Sequence, residues 1–269
     1  MILLGGLFFT FNKSEKTSTV ALVSPGPSTV PTDTPFTTYT KPVLEKSDRY
    51  HIYLIGDSMT HAFGPRGGIF TELLSKEFPE TNFEVSNYAE ANQSIIHLPN
   101  RLKEEVQADH DLLLDPILSG DPDPHLIIIE SFGYNPLSQL DRAEGLKKQE
   151  EVLTEVMTTF TNRYPGTIIM FLATIAPDKQ TYGMSVTDSD EDGRWAQAEE
   201  RIAYITNHID FANRHNIPLI NAYSESLDAS GDGDTKYINP DDDIHPSAEG
   251  LAHMARIMVQ KIIEEKIFP

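Results

Sequence analysis

The chain has 269 residues, 39% hydrophobic and 23% charged, proportions that suit a soluble fold able to bury a core without disulfide or metal. Its 41 acidic residues against 21 basic ones give a net charge of −20, which repels phosphate backbones and anionic headgroups and excludes nucleic acid as the expected partner. There is no cysteine, which excludes thiol nucleophiles, cysteine-based zinc sites and a lipidated-cysteine anchor.

Residues 1–12, MILLGGLFFTFN, are apolar but too short to span a bilayer, and they lack the basic flank of a complete secretory signal. They read as the remnant of a truncated signal or membrane anchor. Residues 13–46 are rich in Ser, Thr and Pro and read as a disordered, solvated linker. Together they predict an extracytoplasmic domain whose membrane association runs only through that anchor, with a disordered cytosolic tail as the alternative.

From Tyr50 onward, apolar runs of strand length alternate with helix-like stretches, the pattern of a parallel sheet covered on both faces. YHIYLIG at 50–56 predicts the first strand. GIFTELLSKEF predicts a helix, with Phe70, Leu73, Leu74 and Phe78 at helical spacing and Pro79 ending it. FEVSNY predicts the second strand, and Leu98–Ala108 a helix with Pro99 near its start, Pro116 breaking any continuation. HLIIIESF at 125–132 predicts a third strand buried on both faces. Residues 141–164 carry Leu146, Val152, Leu153, Val156, Met157 and Phe160 on one face of a long helix, and TIIMFLATIAP supplies the fourth strand. An acidic insertion, TYGMSVTDSDEDG, precedes a helix over 195–215. IPLINAY gives the fifth strand, and Ser247 caps a closing helix that runs to Lys266. The whole predicts one α/β domain over 47–269, without internal repeat.

Ligands of open parallel sheets bind beyond the carboxyl ends of the strands. Gly56-Asp57-Ser58-Met59 follows the first strand, Gly133-Tyr134-Asn135-Pro136 follows the third, and Asp242-Asp243-Ile244-His245-Pro246 precedes the last helix. Alone, Ser58 would be a cap or turn residue and Asn135 a turn residue. Brought to one rim, these segments supply what acyl transfer needs: a hydroxyl, a base, a group to orient the base, and oxyanion donors. Ser58 would be the nucleophile and His245 its general base. Asp242, three residues before the histidine, would hold the other ring nitrogen, with Asp241 and Asp243 as rivals on the residues alone.

These blocks, in this order and spacing, resemble those of the SGNH (GDSL-like) hydrolases over residues 47–269. Gly56-Asp57-Ser58 matches the first block, Gly133-Tyr134-Asn135 the Gly-x-Asn block, and Asp242 with His245 the terminal Asp-x-x-His block. The resemblance favours Asp242 over its neighbours. It implies a three-layer α/β/α fold with a five-stranded parallel sheet in flavodoxin-like order. It also implies an oxyanion hole made by the Ser58 backbone N–H, a backbone N–H of the second block and the Asn135 side chain. The sequence departs from the family in two places: Asn92 stands where the second block has glycine, and Pro136 where the third often has Asp. A backbone N–H survives at Asn92, and asparagine tolerates a left-handed backbone better than most residues.

Asp188, Asp190, Asp192, Gly193 and Glu199 match the D-x-[DN]-x-[DN]-G-x5-E calcium loop. They predict a structural Ca²⁺ site away from catalysis, or else a solvated loop at a helix N-terminus. Residues 228–234 read as a mobile acidic loop beside the Asp242–His245 segment. The expected function is ester hydrolysis through an acyl-serine without a catalytic cofactor, by a monomer. By analogy with the family, the substrates would be small acyl groups on carbohydrates or cell-wall polymers. A lipid ester or thioester is the runner-up, and a catalytically weak glycan-binding module is the alternative from another class.

Overall fold

The computed structural model describes residues 36–109 and 112–269, so residues 1–12 and the first part of the expected linker lie outside the described residues. In chain order the elements are β1 (Arg49–Ile55), α1 (Ser58–His61), α2 (Gly68–Glu77), β2 (Asn82–Asn87), α3 (Leu98–Arg101), β3 (Val106–Asp109), β4 (Leu112–Leu114), β5 (Leu126–Glu130), α4 (Arg142–Arg163), β6 (Ile168–Ala173), α5 (Glu191–Arg214), β7 (Leu219–Asn221), α6 (Ala222–Glu225) and α7 (Ala248–Glu264). Five of the strands form one sheet in the order β2-β1-β5-β6-β7, every pair parallel. Helices cover both faces, so the three-layer α/β/α arrangement with flavodoxin-like order is as expected.

Period-two alternation divides the strand residues between two cores. Ile52, Leu54, Ile128, Met170 and Leu172 pack with Phe70 and Leu74 of α2 and with Met254, Met258 and Ile262 of α7. Tyr53, Ile55, Ile127, Ile129, Ile169 and Phe171 pack on the other face with Val152, Leu153, Val156, Met157 and Phe160 of α4 and Phe211 of α5. Each fully buried side chain of this kind contributes roughly 1.5 to 3 kcal/mol. Caps fix the helix starts: Asp141 accepts from Glu144 N–H, Asp190 from Gly193 N–H and Ser247 from Gly250 N–H.

Strand order reverses at β1. The chain moves outward to β2, then returns to place β5 on the other side of β1, with Ile55 opposite Ile129 at the end of the pairing. A crevice opens where the loops leaving β1 and β5 part in opposite directions.

Three expectations are corrected. The helix predicted over 98–108 stops at Arg101, and the chain turns into a β3–β4 hairpin. Leu98, Leu102 and Val106 are buried as a helical period would require, but the extended backbone carries Val106 into the core by another route. The helix expected from 195 begins one turn earlier, at Glu191. Residues 36–46, read as part of a solvated linker, are packed on the domain. Tyr39 is buried, its N–H donates to His215 O and its hydroxyl links Thr167 O to Ile169 N–H, while Lys41 pairs with Glu265 at 2.9 Å. The described residues belong to one compact unit. Among the described residues no helix is long and apolar enough to cross a membrane.

Candidate active site

Ser58 is placed by a turn with no room for a side chain at its first position. A Cβ on Gly56 would lie 2.7 Å from Thr60 Oγ1 and 2.8 Å from Glu130 Cβ, so the chain passes from β1 into α1 against these groups only because residue 56 is glycine. Asp57 caps α1, its Oδ1 accepting from Met59 N–H at 2.9 Å. Ser58 is thereby the first residue of the helix, half-buried at the carboxyl end of β1.

His245 arrives from a closed loop between the Thr235–Tyr237 turn and α7. Asn239 N–H donates to His245 O at 2.7 Å, Asp243 N–H donates to Asn239 O at 2.8 Å, and Ile238 bridges to Pro246. Inside this loop Asp242 Oδ1 accepts from Ile244 N–H at 2.8 Å and His245 N–H at 2.9 Å. Its Oδ2 lies 2.9 Å from His245 Nδ1 and also accepts from Asn239 Nδ2 at 3.4 Å. His245 Nε2 lies 3.0 Å from Ser58 Oγ. With the carboxylate fixing the proton on Nδ1, Nε2 is the acceptor facing the hydroxyl. Of the three aspartates, Asp242 is the one that meets the His245 ring. Asp243 turns away at φ 56° to accept from the Ser185 N–H and hydroxyl, and Asp241 is exposed.

Asn135 comes from the other side of the crevice. Its N–H donates to Phe132 O at 3.2 Å, and its Nδ2 donates to Asp57 Oδ2 at 3.0 Å, which draws the amide to the Ser58 turn. Gly133 is required here as well, since a Cβ would lie 2.3 Å from Ile205 Cγ1 of α5. Asn92 sits on an exposed turn beyond β2 with φ 60°, a left-handed backbone that asparagine tolerates. Among the described residues no side-chain bond joins Asn92 to Ser58 or Asn135, but its loop is tied to the Ser58 segment. Glu90 N–H donates to Gly56 O at 3.2 Å, and His61 Nδ1 lies 3.0 Å from Ala89 O.

The local electrostatics separate the carboxylates. Burial alone would raise the pKa of Asp242, but hydrogen bonds from the His245 backbone, the His245 ring and Ile244 N–H outweigh it and hold the group below its ordinary value. Asp242 therefore stays ionised next to the imidazole. Asp57, fully buried, is pushed the other way, chiefly by desolvation. Beneath it lies Glu130, which sequence reasoning passed over as the end of a strand; a carboxylate closing the wholly buried run Leu126–Glu130 was the signal. Arg101 was also missed: its buried guanidinium donates to Tyr88 O and lies 3.3 Å from Glu90, bracing the loop that carries Asn92.

The calcium-loop residues are not gathered. Asp190 caps α5, so Asp192 and Glu199 ride on the helix, and seven residues of helix separate them by about 10 Å along its axis. Among the described residues no group of three His, Asp or Glu side chains is placed to hold a metal ion. Residues 228–234, read as mobile, form a stitched turn. Asp228 Oδ1 accepts from Ser230 N–H, Ser230 Oγ and Asp232 N–H, and Leu227 bridges to Gly233.

Comparison with known proteins adds the following. The model of the GDSL-like lipase/acylhydrolase family matches residues 54–253. No curated protein matches. Among solved structures, a lipase/acylhydrolase from Enterococcus faecalis superposes with a TM-score of 0.54 at 15% identity, covering 80% of this chain and 96% of its own. A psychrotrophic esterase, EstA, from Pseudoalteromonas sp., solved with monoethylphosphonate as inhibitor, gives 0.51 at 16% identity, covering 81% and 98%. An acetyl xylan esterase, AlAXEase, gives 0.53 at 15% identity, covering 79% and 99%.

Proposed function

The chain belongs to the GDSL-like lipase/acylhydrolase family of hydrolases, and from that premise we propose that it is a serine esterase that cleaves carboxylic esters through an acyl group carried on Ser58. The observation that carries this reading is the bonded series Ser58 Oγ–His245 Nε2 at 3.0 Å and His245 Nδ1–Asp242 Oδ2 at 2.9 Å. Ser58 Oγ attacks the ester carbonyl as His245 Nε2 takes its proton, and Asp242 stabilises the imidazolium. The oxyanion is received by the Ser58 and Asn92 backbone N–H groups and by Asn135 Nδ2. Collapse expels the alcohol, which takes the proton from His245. Water, deprotonated by the same nitrogen, then releases the acid and restores Ser58.

Short acyl groups on a carbohydrate or cell-wall polymer are the proposed substrate. The His245 side chain is 39% exposed, so the reacting atoms lie open to a bulky alcohol. The net charge of −20 disfavours anionic polymers over neutral glycans. The structural likeness to an acetyl xylan esterase is compatible with this and carries only the fold. The apolar residues 1–12 and the Ser/Thr/Pro-rich residues after them support an extracytoplasmic location for this monomeric domain, where such polymers are found. The test is a panel of p-nitrophenyl esters of rising acyl length, with O-acetylated oligosaccharides, on wild type and Ser58→Ala. Fastest turnover with acetyl, reduced at least about 10³-fold in the variant, is expected. Rates that climb with chain length would favour the lipid ester instead. No Ser58-dependent turnover of any ester would overturn the proposal.

A further inference from the structure

Two carboxyl groups lie side by side under the nucleophile turn, away from water. Asp57 and Glu130 are both 0% exposed, and Glu130 Oε2 accepts from the Asp57 N–H at 3.2 Å, which brings the two acidic residues together. Two ionised carboxylates are acceptors only and repel each other away from water, so burial of the pair favours one proton shared by the two residues. The other contacts say where it resides. Asp57 Oδ1 accepts from Met59 N–H at 2.9 Å and Oδ2 from Asn135 Nδ2 at 3.0 Å, bonds that favour the charged form. Burial and the neighbouring Asp57 charge push the pKa of Glu130 well above the carboxylate range. Glu130 is thus the acid and Asp57 the anion.

Glu130 also joins the two loops that part at the strand-order reversal. Its Oε2 accepts from Asp57 N–H at 3.2 Å, the residue before Ser58. Ser131 Oγ, which itself accepts from Gly133 N–H at 3.3 Å, lies 2.5 Å from Glu130 Oε1. Phe132 is fully buried at φ 53°, a backbone that bulky residues avoid, so this turn is held only by what surrounds it. Three residues later comes Asn135. One of its two amide hydrogens is engaged by Asp57, which leaves the other for an oxyanion.

We propose that Glu130 is a positioning residue of the oxyanion site: buried beneath Asp57 and bonded to the Asp57 N–H and to the Ser131 hydroxyl, it locks the Ser58 turn to the Phe132–Asn135 turn and sets the Asn135 amide relative to Ser58 Oγ. This rests on the esterase reading of Ser58. An ionised Glu130 would repel the anion that holds Asn135, and an apolar residue there would free both loops. Displacement of a stabilising donor by about 1 Å is enough to cost on the order of 100-fold in rate.

The experiment compares Glu130→Leu and Glu130→Gln, alone and with Asn135→Ala, by ester kinetics, and reads the infrared carbonyl band of a neutral acid in the folded protein at pH 7. Glu130→Leu is expected to lower kcat roughly 10- to 100-fold with KM little changed, and to cost nothing further once Asn135 is alanine. Glu130→Gln should recover most of that loss, because its carbonyl still accepts from the Asp57 N–H. The neutral-acid band should be present in wild type and absent in Glu130→Gln. Wild-type kcat in Glu130→Leu, full additivity with Asn135→Ala, or no neutral acid at pH 7 would each overturn the proposal. If Glu130→Leu does not fold, the glutamine variant and the infrared band decide. If wild type shows no Ser58-dependent turnover, the esterase reading fails on its own, and the infrared band still tests the neutral Glu130.

Discussion

Replacing Asp242 with asparagine preserves shape and removes charge, and the surrounding bonds dictate how the amide must sit. Ile244 and His245 N–H groups fix one oxygen at 2.8 and 2.9 Å, so the asparagine carbonyl belongs there and its NH2 takes the place 2.9 Å from His245 Nδ1. A donor at that point moves the ring proton to Nε2, where it faces Ser58 Oγ and cannot accept from it. Working with the wrong tautomer costs up to about 10⁴-fold in kcat. Flipping the amide instead sacrifices both N–H bonds at about 1 to 2 kcal/mol each, together about 2 to 4 kcal/mol. The flip is the cheaper route, so Asp242→Asn should lose roughly 30- to 1,000-fold in kcat with KM nearly unchanged. Steady-state hydrolysis of p-nitrophenyl acetate measures this. A loss below about threefold, or one confined to KM, would show that Asp242 does not orient the imidazole.

Asn135→Ala should lower kcat by about 10² to 10³-fold, if its amide receives the oxyanion, and should also lower the melting temperature, because the buried Asp57 loses the bond from Asn135 Nδ2. Gly56→Ala forces a Cβ to 2.8 Å from Glu130 Cβ and should destabilise the fold by about 1 to 3 kcal/mol in urea unfolding, with activity falling as the nucleophile turn shifts. His208 lies fully buried against Phe171, with rings 4.2 Å apart. Neither nitrogen meets a partner in hydrogen-bond geometry, and burial lowers its pKa to about 3, a loose approach to the Ile129 backbone offsetting little. Because the fold favours the neutral ring, the stability it confers is complete above the unfolded value of 6.5 and drains away as pH falls toward 3, reaching about 3 kcal/mol near pH 4.5. His208→Leu should flatten that acid limb, against the opposite trend from Glu130, which gains stability as pH falls; parallel curves for variant and wild type would refute it.

The residues of the site were legible because they stand directly after strands whose apolar runs are unmistakable. Ser58 and Asn135 needed only the ends of β1 and β5, and Asp242 and His245 sit three residues apart before a capped helix. What stayed hidden depends on contacts between distant segments. Tyr39 looks like linker in a Thr- and Pro-rich stretch, and only the groove beside Thr167 and His215 gives it a place to bury. Leu98, Leu102 and Val106 carry a helical period that the hairpin overrides. The acidic run at 188–192 matched a calcium loop in spacing, yet its third residue, Asp190, was better used as the cap of α5, which draws the following positions into helix. Glu130 was visible as a charge closing a buried strand. Its purpose became apparent only with Asp57 against it.

On the esterase reading, Ser58 Oγ bonds the acyl group and His245 activates it. Treating the protein with one equivalent of a p-nitrophenyl alkylphosphonate and mapping the adduct by peptide mass spectrometry tests this directly. One phosphonyl group on Ser58, loss of ester turnover in step with labelling, and no labelling of His245→Ala are the predicted results. Label on another residue, or turnover that persists with Ser58 fully modified, would contradict the claim.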